Sequence, residues 1–380
     1  MKFVILAAGN GTRMCPLTQT MSKPMIPVAN KPLLEWYVEK IEKLGTDIIL
    51  VVRKDQKDIR EYFDGRVEFA YQDTPKGTAD AILATENFID GKFVVSNSDE
   101  IFNQKDLAEF IRQKPFTLAH FVHDQPKRFG VFTLENELIK DIIEKPNINK
   151  PSPVNVGLYI FDKHIFDFIR KTPFSERREL EITTTWKMMI ENGFEFYSFR
   201  MSDWLTVGYP WEILEANQKI LNENGSKIHK TAEMRPGTYI EHPVFIGENS
   251  IIGPNCYIRK YSTIGKNCKI GNAVEIKNSI IMDGSYVSHL SYVGDSIIGR
   301  NCNIAAGTLF ANLRLDEKNI GMKIKGDYVD SNMKKLGSIV ADSVKFGAGC
   351  TIMPGKKIWP NILVPPCQKI DHDIETQPEL

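Results

Sequence analysis

Neither charge is in surplus in this 380-residue sequence: 48 Lys and Arg stand against 48 Asp and Glu. That balance gives no global reason to expect a nucleic acid or an anionic membrane as partner. No apolar run approaches the roughly 20 residues that cross a bilayer, so no membrane partner is expected either. The opening MKFVILAAG is too short in its apolar part for a secretory leader. Glycines and Arg13 follow it where a small-residue cleavage site would stand, and a cytoplasmic location is the expectation. The six cysteines contain no CxxC pair, which removes the usual thiol-redox and zinc patterns. Glycines at 9 and 11 lack the third glycine of the dinucleotide fingerprint, whose place is Met14, and no GK[ST] follows as in a Walker loop.

What is present is a change of period. Up to about residue 225, buried-strand runs (KFVIL, DIILVVR, VEFAYQ, KFVVSN) alternate with helical patterns such as PLLEWYVEKIEKLG and GTADAILATENFI. The alternation predicts a parallel, doubly wound α/β sheet, which binds ligands beyond the carboxyl ends of its strands. From Ile240 the aliphatic residue recurs every sixth position, at 246, 252, 258, 264, 270 and 276, and the beat resumes from Val340 to Val364. A parallel β-helix has this period, because each flat face takes one hexapeptide and turns its aliphatic residue inward. Cys256, Cys268, Cys302 and Cys350 each stand two positions before an isoleucine of the series, a column that wants small interior side chains. Residues 310–337 interrupt the repeat and are expected to loop outward. The expected organisation is 1–225, an α/β domain; 226–368, a β-helix; and 369–380, a mobile acidic tail.

The stretch VILAAGNGTRMCPLTQTMSKPM places bare backbone and two cations after the first strand. Glycines let backbone N–H groups approach an anion, Arg13 offers a fork of donors, and Lys23 offers a compact charge. Together these point to a nucleotide.

The spacing resembles that of the sugar-1-phosphate nucleotidyltransferases, whose signature begins LAAGxGTRM and continues to KPM. The resemblance implies that Leu6, Ala7, Ala8, Gly9 and Gly11 line the nucleotide, with Arg13 and Lys23 catalytic. YQDTPKGTADA matches the family's base-binding segment, implying base contacts by Gln72, Gly77 and Thr78 and favouring UTP or dTTP. VVSNSDEIF implies that Asp99 binds Mg²⁺. RFGVF, IIEKP and NVGLYIF imply that Gly130, Glu144, Lys145 and Asn155 grip a hexose-1-phosphate. In DWLTVGYPW the family's second metal-binding aspartate is replaced by Thr206, whose hydroxyl can ligate Mg²⁺ without charge. Asp203, three residues away, should point to the opposite face of the strand.

The second half resembles the acetyltransferase part of bacterial bifunctional N-acetylglucosamine-1-phosphate uridyltransferase, through VEIKN, SHLSYVGD and NCNIAAGT. Hexapeptide proteins of this kind form left-handed β-helices and trimerise, so a homotrimer is expected. The resemblance implies His289 as general base toward acetyl-CoA, a role that suits an imidazole. It implies Arg259, Lys277, Tyr292 and Asn303 on the acceptor, and Ala306, Asn312 and Lys318 on acetyl-CoA. Two rival readings stand beside this one. The β-helix could serve assembly alone, or the chain could be a regulatory subunit that binds nucleotide-sugar without turnover. Which triphosphate and which hexose are preferred is left open by the motifs.

Overall fold

The computed structural model describes residues 1–176 and 178–378. Contacts divide the chain into two compact units, one of Met1–Asn10 with Leu34–Thr206, the other of Gly11–Leu33 with the chain from Val207 onward. The second unit therefore includes two pieces whose pattern reads as part of the first half: the segment after Asn10 and the helix Glu212–Asn224.

The first unit is built on a nine-stranded sheet. Lys2–Leu6 lies between Asp47–Val52 and Phe93–Asn97, parallel to both, and Glu68–Tyr71 extends the parallel part beyond Asp47–Val52. These runs are continuous in apolar residues because both faces are covered; Phe3, Val4, Ile49 and Val94 are wholly buried. The doubly wound expectation holds for these four strands. Beyond them the sheet is mixed: Ser152–Phe161 runs antiparallel to Phe93–Asn97 and to Thr117–His123. Between Gly130–Glu135 and Leu138–Glu144 only Asn136 and Glu137 intervene, and a connection that short can join only antiparallel neighbours. Asn136, with φ 56°, makes the turn.

In the second unit three parallel sheets of seven short strands each form a left-handed β-helix. Each interior isoleucine stacks on the next coil's, as Ile246 on Ile264 and Ile264 on Ile281. Ile252, Ile258, Ile264, Ile270 and Ile276 are wholly buried. Asn249, Asn255, Asn267 and Asn301 turn the corners with φ between 53° and 56°, a left-handed conformation that asparagine tolerates. The cysteine column is structural. Cys268 and Cys302 lie inside the coil, burial pushes each thiol up to about 12, and each Sγ donates to a carbonyl of the next coil (Met282 at 3.3 Å, Ala341 at 3.2 Å). Ser250 and Ser285 fill the same column, donating to Gly265 and Gly299 at 2.7 and 2.6 Å.

The interruption of the repeat is not simply an outward loop. Ile320–Ile324 and Asp327–Met333 pair as an antiparallel hairpin, with Ile320, Met322 and Ile324 buried on one side. The alternation of apolar residues there explains the difference, since such a face cannot be left in water. Pairing also continues past residue 368. Lys369–Ile370 joins Thr351–Ile352, and Ile374 bridges to Ile358, within the segment expected as a mobile tail; residues 379 and 380 of that tail lie outside the described residues.

Helix Glu212–Asn224 is held in this unit by Asn217, which is wholly buried. Its Oδ1 accepts from the Ala29 N–H at 2.9 Å and the Thr263 hydroxyl at 2.8 Å, and its Nδ2 donates to the Tyr261 carbonyl at 2.8 Å.

Candidate active sites

In the first unit Leu6 pairs with Asn97, so the chain after each strand leaves the sheet side by side. Ala7, Ala8 and Gly9 follow one strand, Ser98 and Asp99 the other. This is where the strand order switches direction, the position at which open α/β sheets take ligands. Ala7 and Ala8 are buried, and their carbonyls accept from Gln56 Nε2 at 3.0 Å and Arg53 at 2.6 Å, which fixes the loop. A Cβ on Gly9 would meet nothing within 4 Å, leaving its backbone open to a ligand.

Asp99 occupies the turn between Phe93–Asn97 and Glu100–Phe102, and Trp204–Thr206 pairs antiparallel with the latter. Thr206 is thus brought opposite Glu100, next to Asp99 in the chain. Asp203 precedes the strand, and its N–H donates to Asp106 at 3.3 Å. Glu100 itself was not singled out from the sequence. It is 5% exposed, accepting from Trp204 Nε1 at 2.7 Å and Asn97 Nδ2 at 3.4 Å. Among the described residues no cluster of three or more His, Cys, Asp and Glu could hold a metal ion. A carboxylate and a hydroxyl are nonetheless hard oxygen donors of the kind Mg²⁺ takes, since it commonly uses one or two protein oxygens plus substrate phosphates.

Gln72 is buried, and its Nε2 donates to the Gly77 carbonyl at 3.1 Å and to Asp80 at 2.7 Å. Both N–H groups being used, Oε1 remains as an acceptor. Gly77, at φ 118°, lies so close to Leu180 that a Cβ would fall 2.4 Å from its carbonyl oxygen. The Thr78 hydroxyl accepts from the Ile182 N–H at 3.2 Å, so it also anchors the start of helix Ile182–Glu191.

Gly130 and Glu144 are register partners, and the pairing of Val154 with Val131 carries Asn155 to the level of Gly130. Lys145 follows directly, with φ 46° and its N–H on the Phe129 carbonyl at 3.0 Å. Asn155 donates to the Tyr159 hydroxyl at 3.1 Å and accepts from the Gly157 N–H at 3.0 Å. The residues expected to grip the sugar phosphate are therefore grouped by the sheet. Tyr159, unnoticed in the sequence, is buried beside them with its phenol raised by burial and by nearby Glu100 and Glu144.

In the second unit Gly11, at φ 61°, packs where a Cβ would press to 2.9 Å from Lys23 Cβ, and the Thr18 hydroxyl donates to the Gly11 carbonyl at 3.0 Å. Arg13 is exposed and stands over the Tyr209 ring at 5.5 Å.

The β-helix places Arg259, Lys277, Tyr292 and Asn312 on or beside one sheet. Tyr257–Ile258, Glu275–Lys277 and Tyr292–Gly294 are successive strands of it. Their hub is Asp295, the last residue of SHLSYVGD. It is 4% exposed and accepts from Lys277 Nζ at 2.7 Å, Asn278 Nδ2 at 2.7 Å and Asn312 Nδ2. Arg259 pairs with Glu275 at 3.2 Å and Glu241 at 3.7 Å. Tyr292 receives a hydrogen bond from Asn312 at 3.1 Å, while burial and Asp295 raise its phenol. His289 is exposed at the corner leading into this sheet, and its carbonyl accepts from the Gly307 N–H at 2.9 Å, which stacks it against the turn containing Ala306. Its Nδ1 accepts from the Asn272 N–H at 3.3 Å. Asn303 lies on the neighbouring sheet opposite Tyr286, and Lys318 in the loop after Asp316. Neither is brought to the Asp295 network by any described contact.

Comparison with known proteins finds a family match for each half of the sequence. Residues 2–223 match the Nucleotidyl transferase family, and residues 240–366 match the GMPPB C-terminal domain family. The bifunctional protein GlmU of Methanocaldococcus jannaschii is 39% identical over 401 residues, spanning 99% of this chain and 96% of its own length. The bifunctional sugar-1-phosphate nucleotidylyltransferase/acetyltransferase of Sulfurisphaera tokodaii is 36% identical over 401 residues, spanning 98% of each chain. A solved UDP-glucose pyrophosphorylase from Acinetobacter baumanii shares the fold over 59% of this chain and 94% of its own, with TM-score 0.53 at 21% identity.

Proposed function

The chain belongs to the family of bifunctional sugar-1-phosphate nucleotidylyltransferases/acetyltransferases, and from that membership we propose two reactions with their substrates. The β-helix unit N-acetylates glucosamine-1-phosphate, or its galactosamine epimer, from acetyl-CoA. The other reaction joins the resulting N-acetylhexosamine-1-phosphate to UTP or dTTP and releases pyrophosphate. A homotrimer in the cytoplasm is the expected working form.

In nucleotidyl transfer a sugar-phosphate oxygen attacks the α-phosphorus; that P–O bond forms as the bond to the bridging β-phosphate oxygen breaks. The nucleophile is already anionic, so the protein's task is to align two polyanions and stabilise the leaving charge. The observation that carries this reading is the pairing of Leu6 with Asn97, which delivers the bare glycine loop and Asp99 to the same end of the sheet. Gln72 Oε1 suits the N3–H of uracil or thymine, and the Gly130, Glu144, Lys145 and Asn155 group suits sugar hydroxyls and phosphate. Arg13 and Lys23 supply the cations. Mg²⁺, when bound, neutralises phosphate charge, and Asp99 and Thr206 are the residues that would hold it.

In acetyl transfer the acceptor amine attacks the thioester carbonyl, the C–S bond breaks to release the CoA thiolate, and the amine proton passes to His289. The Asn272 N–H reaches Nδ1 at 3.3 Å, a long hydrogen bond on an exposed ring, and the imidazole takes the amine proton on its unprotonated nitrogen. Lys277, oriented by Asp295, and Arg259 turn their remaining N–H donors to the acceptor's phosphate, with Tyr292 and Asn303 on the sugar. Ala306, Asn312 and Lys318 face acetyl-CoA.

The test is a crossed assay. Pyrophosphate release from UTP with N-acetylglucosamine-1-phosphate should vanish in Asp99→Ala and persist in His289→Ala. Thiol release from acetyl-CoA with glucosamine-1-phosphate should show the reverse, falling by ~10²–10⁴ when the base is removed. A wild-type protein without thiol release would leave the β-helix as an assembly scaffold. One releasing no pyrophosphate from any triphosphate would be a regulatory subunit.

A further inference from the structure

A cavity of about 380 Å³ lies wholly within the second unit, away from the Asp295 network. One wall is the segment after Gly11, with Arg13 and Cys15; another is the tip of the hairpin, with Lys323 and Lys325; the floor is Lys357 and Trp359. Its lining carries Arg13, Lys323, Lys325 and Lys357 against the single carboxylate of Glu375.

The four cations are not alike. Lys357 is 4% exposed; its Nζ donates to the Lys323 carbonyl, lies 3.7 Å from Asp373 and stands 4.9 Å over the Trp359 ring. It pins the hairpin to the last coils. Lys325 and Gly326 form the two-residue turn, with φ 51° and 96°, so the hairpin tip has a fixed shape. Among the described residues the ammonium groups of Lys323 and Lys325 have no hydrogen-bond or ion-pair partner, and neither has the Arg13 guanidinium, whose contact is the Tyr209 ring. Three uncompensated cations around one concavity repel one another, and a small polyanion relieves that repulsion while accepting several charge-assisted hydrogen bonds.

We propose that this cavity binds a phosphoryl anion of two or more charges, with Arg13 among the groups that hold it. Only the identity of the occupant as a reaction product rests on the nucleotidyl function proposed above; anion binding itself does not. The occupant is either the pyrophosphate released by that reaction or a phosphate group on a separate effector, since both present the same oxygens.

The experiment uses the full chain without divalent ions, so that binding through Mg²⁺ cannot contribute, and sodium pyrophosphate as the probe. Calorimetric titration of wild type should show binding that weakens by about tenfold or more in the Lys323→Gln, Lys325→Gln double variant, the least expected on losing a charge-assisted hydrogen bond. Cys15, on the cavity wall, supplies a second readout. Pyrophosphate should slow its alkylation by iodoacetamide, read by peptide mass spectrometry, in wild type and not in the double variant; both lysines are exposed, and Lys325→Gln alone serves if the double variant unfolds. Equal affinity in wild type and variant, with Cys15 unprotected in both, overturns the proposal. Protection lost at saturating UTP identifies the reaction's own product as occupant, and protection retained identifies a separate effector; each supports the site. If wild type binds pyrophosphate in this way yet turns over no triphosphate, the nucleotidyl function fails and the anion site stands.

Discussion

Thr206 stands directly opposite Glu100 across a two-stranded antiparallel pair, and Asp99 is the residue immediately before Glu100. The hydroxyl thus occupies a place where an aspartate would face a buried carboxylate. Like charges directly opposite across strands destabilise the pair, and a divalent ion offsets that repulsion. Thr206→Asp is expected to lower the Mg²⁺ concentration for half-maximal pyrophosphate release several-fold. It should also lower the thermal midpoint in EDTA and recover it on adding Mg²⁺. Thermal scans with and without the ion check the second part independently of turnover.

Asp295 gathers Lys277, Asn278 and Asn312 around one carboxylate. Asp295→Ala leaves a largely buried ammonium without its partner, at a cost of about 3 kcal/mol in unfolding free energy. Urea titration measures that loss. Thiol release should fall as well, because Lys277 and Asn312 lose their orientation, while pyrophosphate release at the same temperature should be retained.

His120 is 6% exposed, and burial, aided by Arg200, lowers its imidazole from 6.5 to about 4. Between those values the unfolded chain binds a proton that the folded chain does not. Stability is therefore complete above pH 6.5 and declines as pH falls toward 4, by roughly 3 kcal/mol for this group. His120→Gln should flatten that part of the curve, as followed by denaturant midpoints at several pH values.

Gly77 combines φ 118° with a would-be Cβ 2.4 Å from the Leu180 carbonyl oxygen, which is backbone and cannot swing aside. Gly77→Ala is expected to cost about 2–3 kcal/mol and to raise KM for UTP more than it lowers kcat, because Gln72 is oriented by the Gly77 carbonyl. Steady-state kinetics separates the two parameters.

These residues also mark how far the sequence could be read. The six-residue beat exposed the β-helix because each face of a coil turns one large apolar side chain inward, and Ile252 through Ile276 obey it. Asp99 and His289 were singled out because the segments around them, VVSNSDEIF and SHLSYVGD, resemble family motifs. Glu100, next to Asp99, and Asp295, six residues after His289, were passed over. Their roles depend on Trp204 and on Lys277 and Asn312, partners supplied by strand register rather than by neighbours in sequence. Helix Glu212–Asn224 was legible as a helix from its period, but period does not say what the helix packs on. A single buried amide, Asn217, assigns it to the coils through Tyr261 and Thr263. In the antiparallel half of the large sheet, Ser152–Phe161 is largely buried, and such an apolar run does not by itself give a strand's direction.

The ownership of Gly11–Leu33 by the β-helix unit has a practical result for anyone wishing to dissect the enzyme. A break after residue 225 would not deliver two autonomous catalysts. The downstream fragment would lose Asn217, and with it the donor to the Tyr261 carbonyl and the acceptor of the Thr263 hydroxyl; it would also lose Asn30, whose Nδ2 donates to the Ile264 carbonyl at 2.8 Å, and Thr20, whose hydroxyl donates to Asp342 at 2.9 Å. The upstream fragment would carry Arg13 and Lys23 on a segment stripped of its scaffold. Gene fission would thus be expected to need both pieces co-expressed before either chemistry reappears.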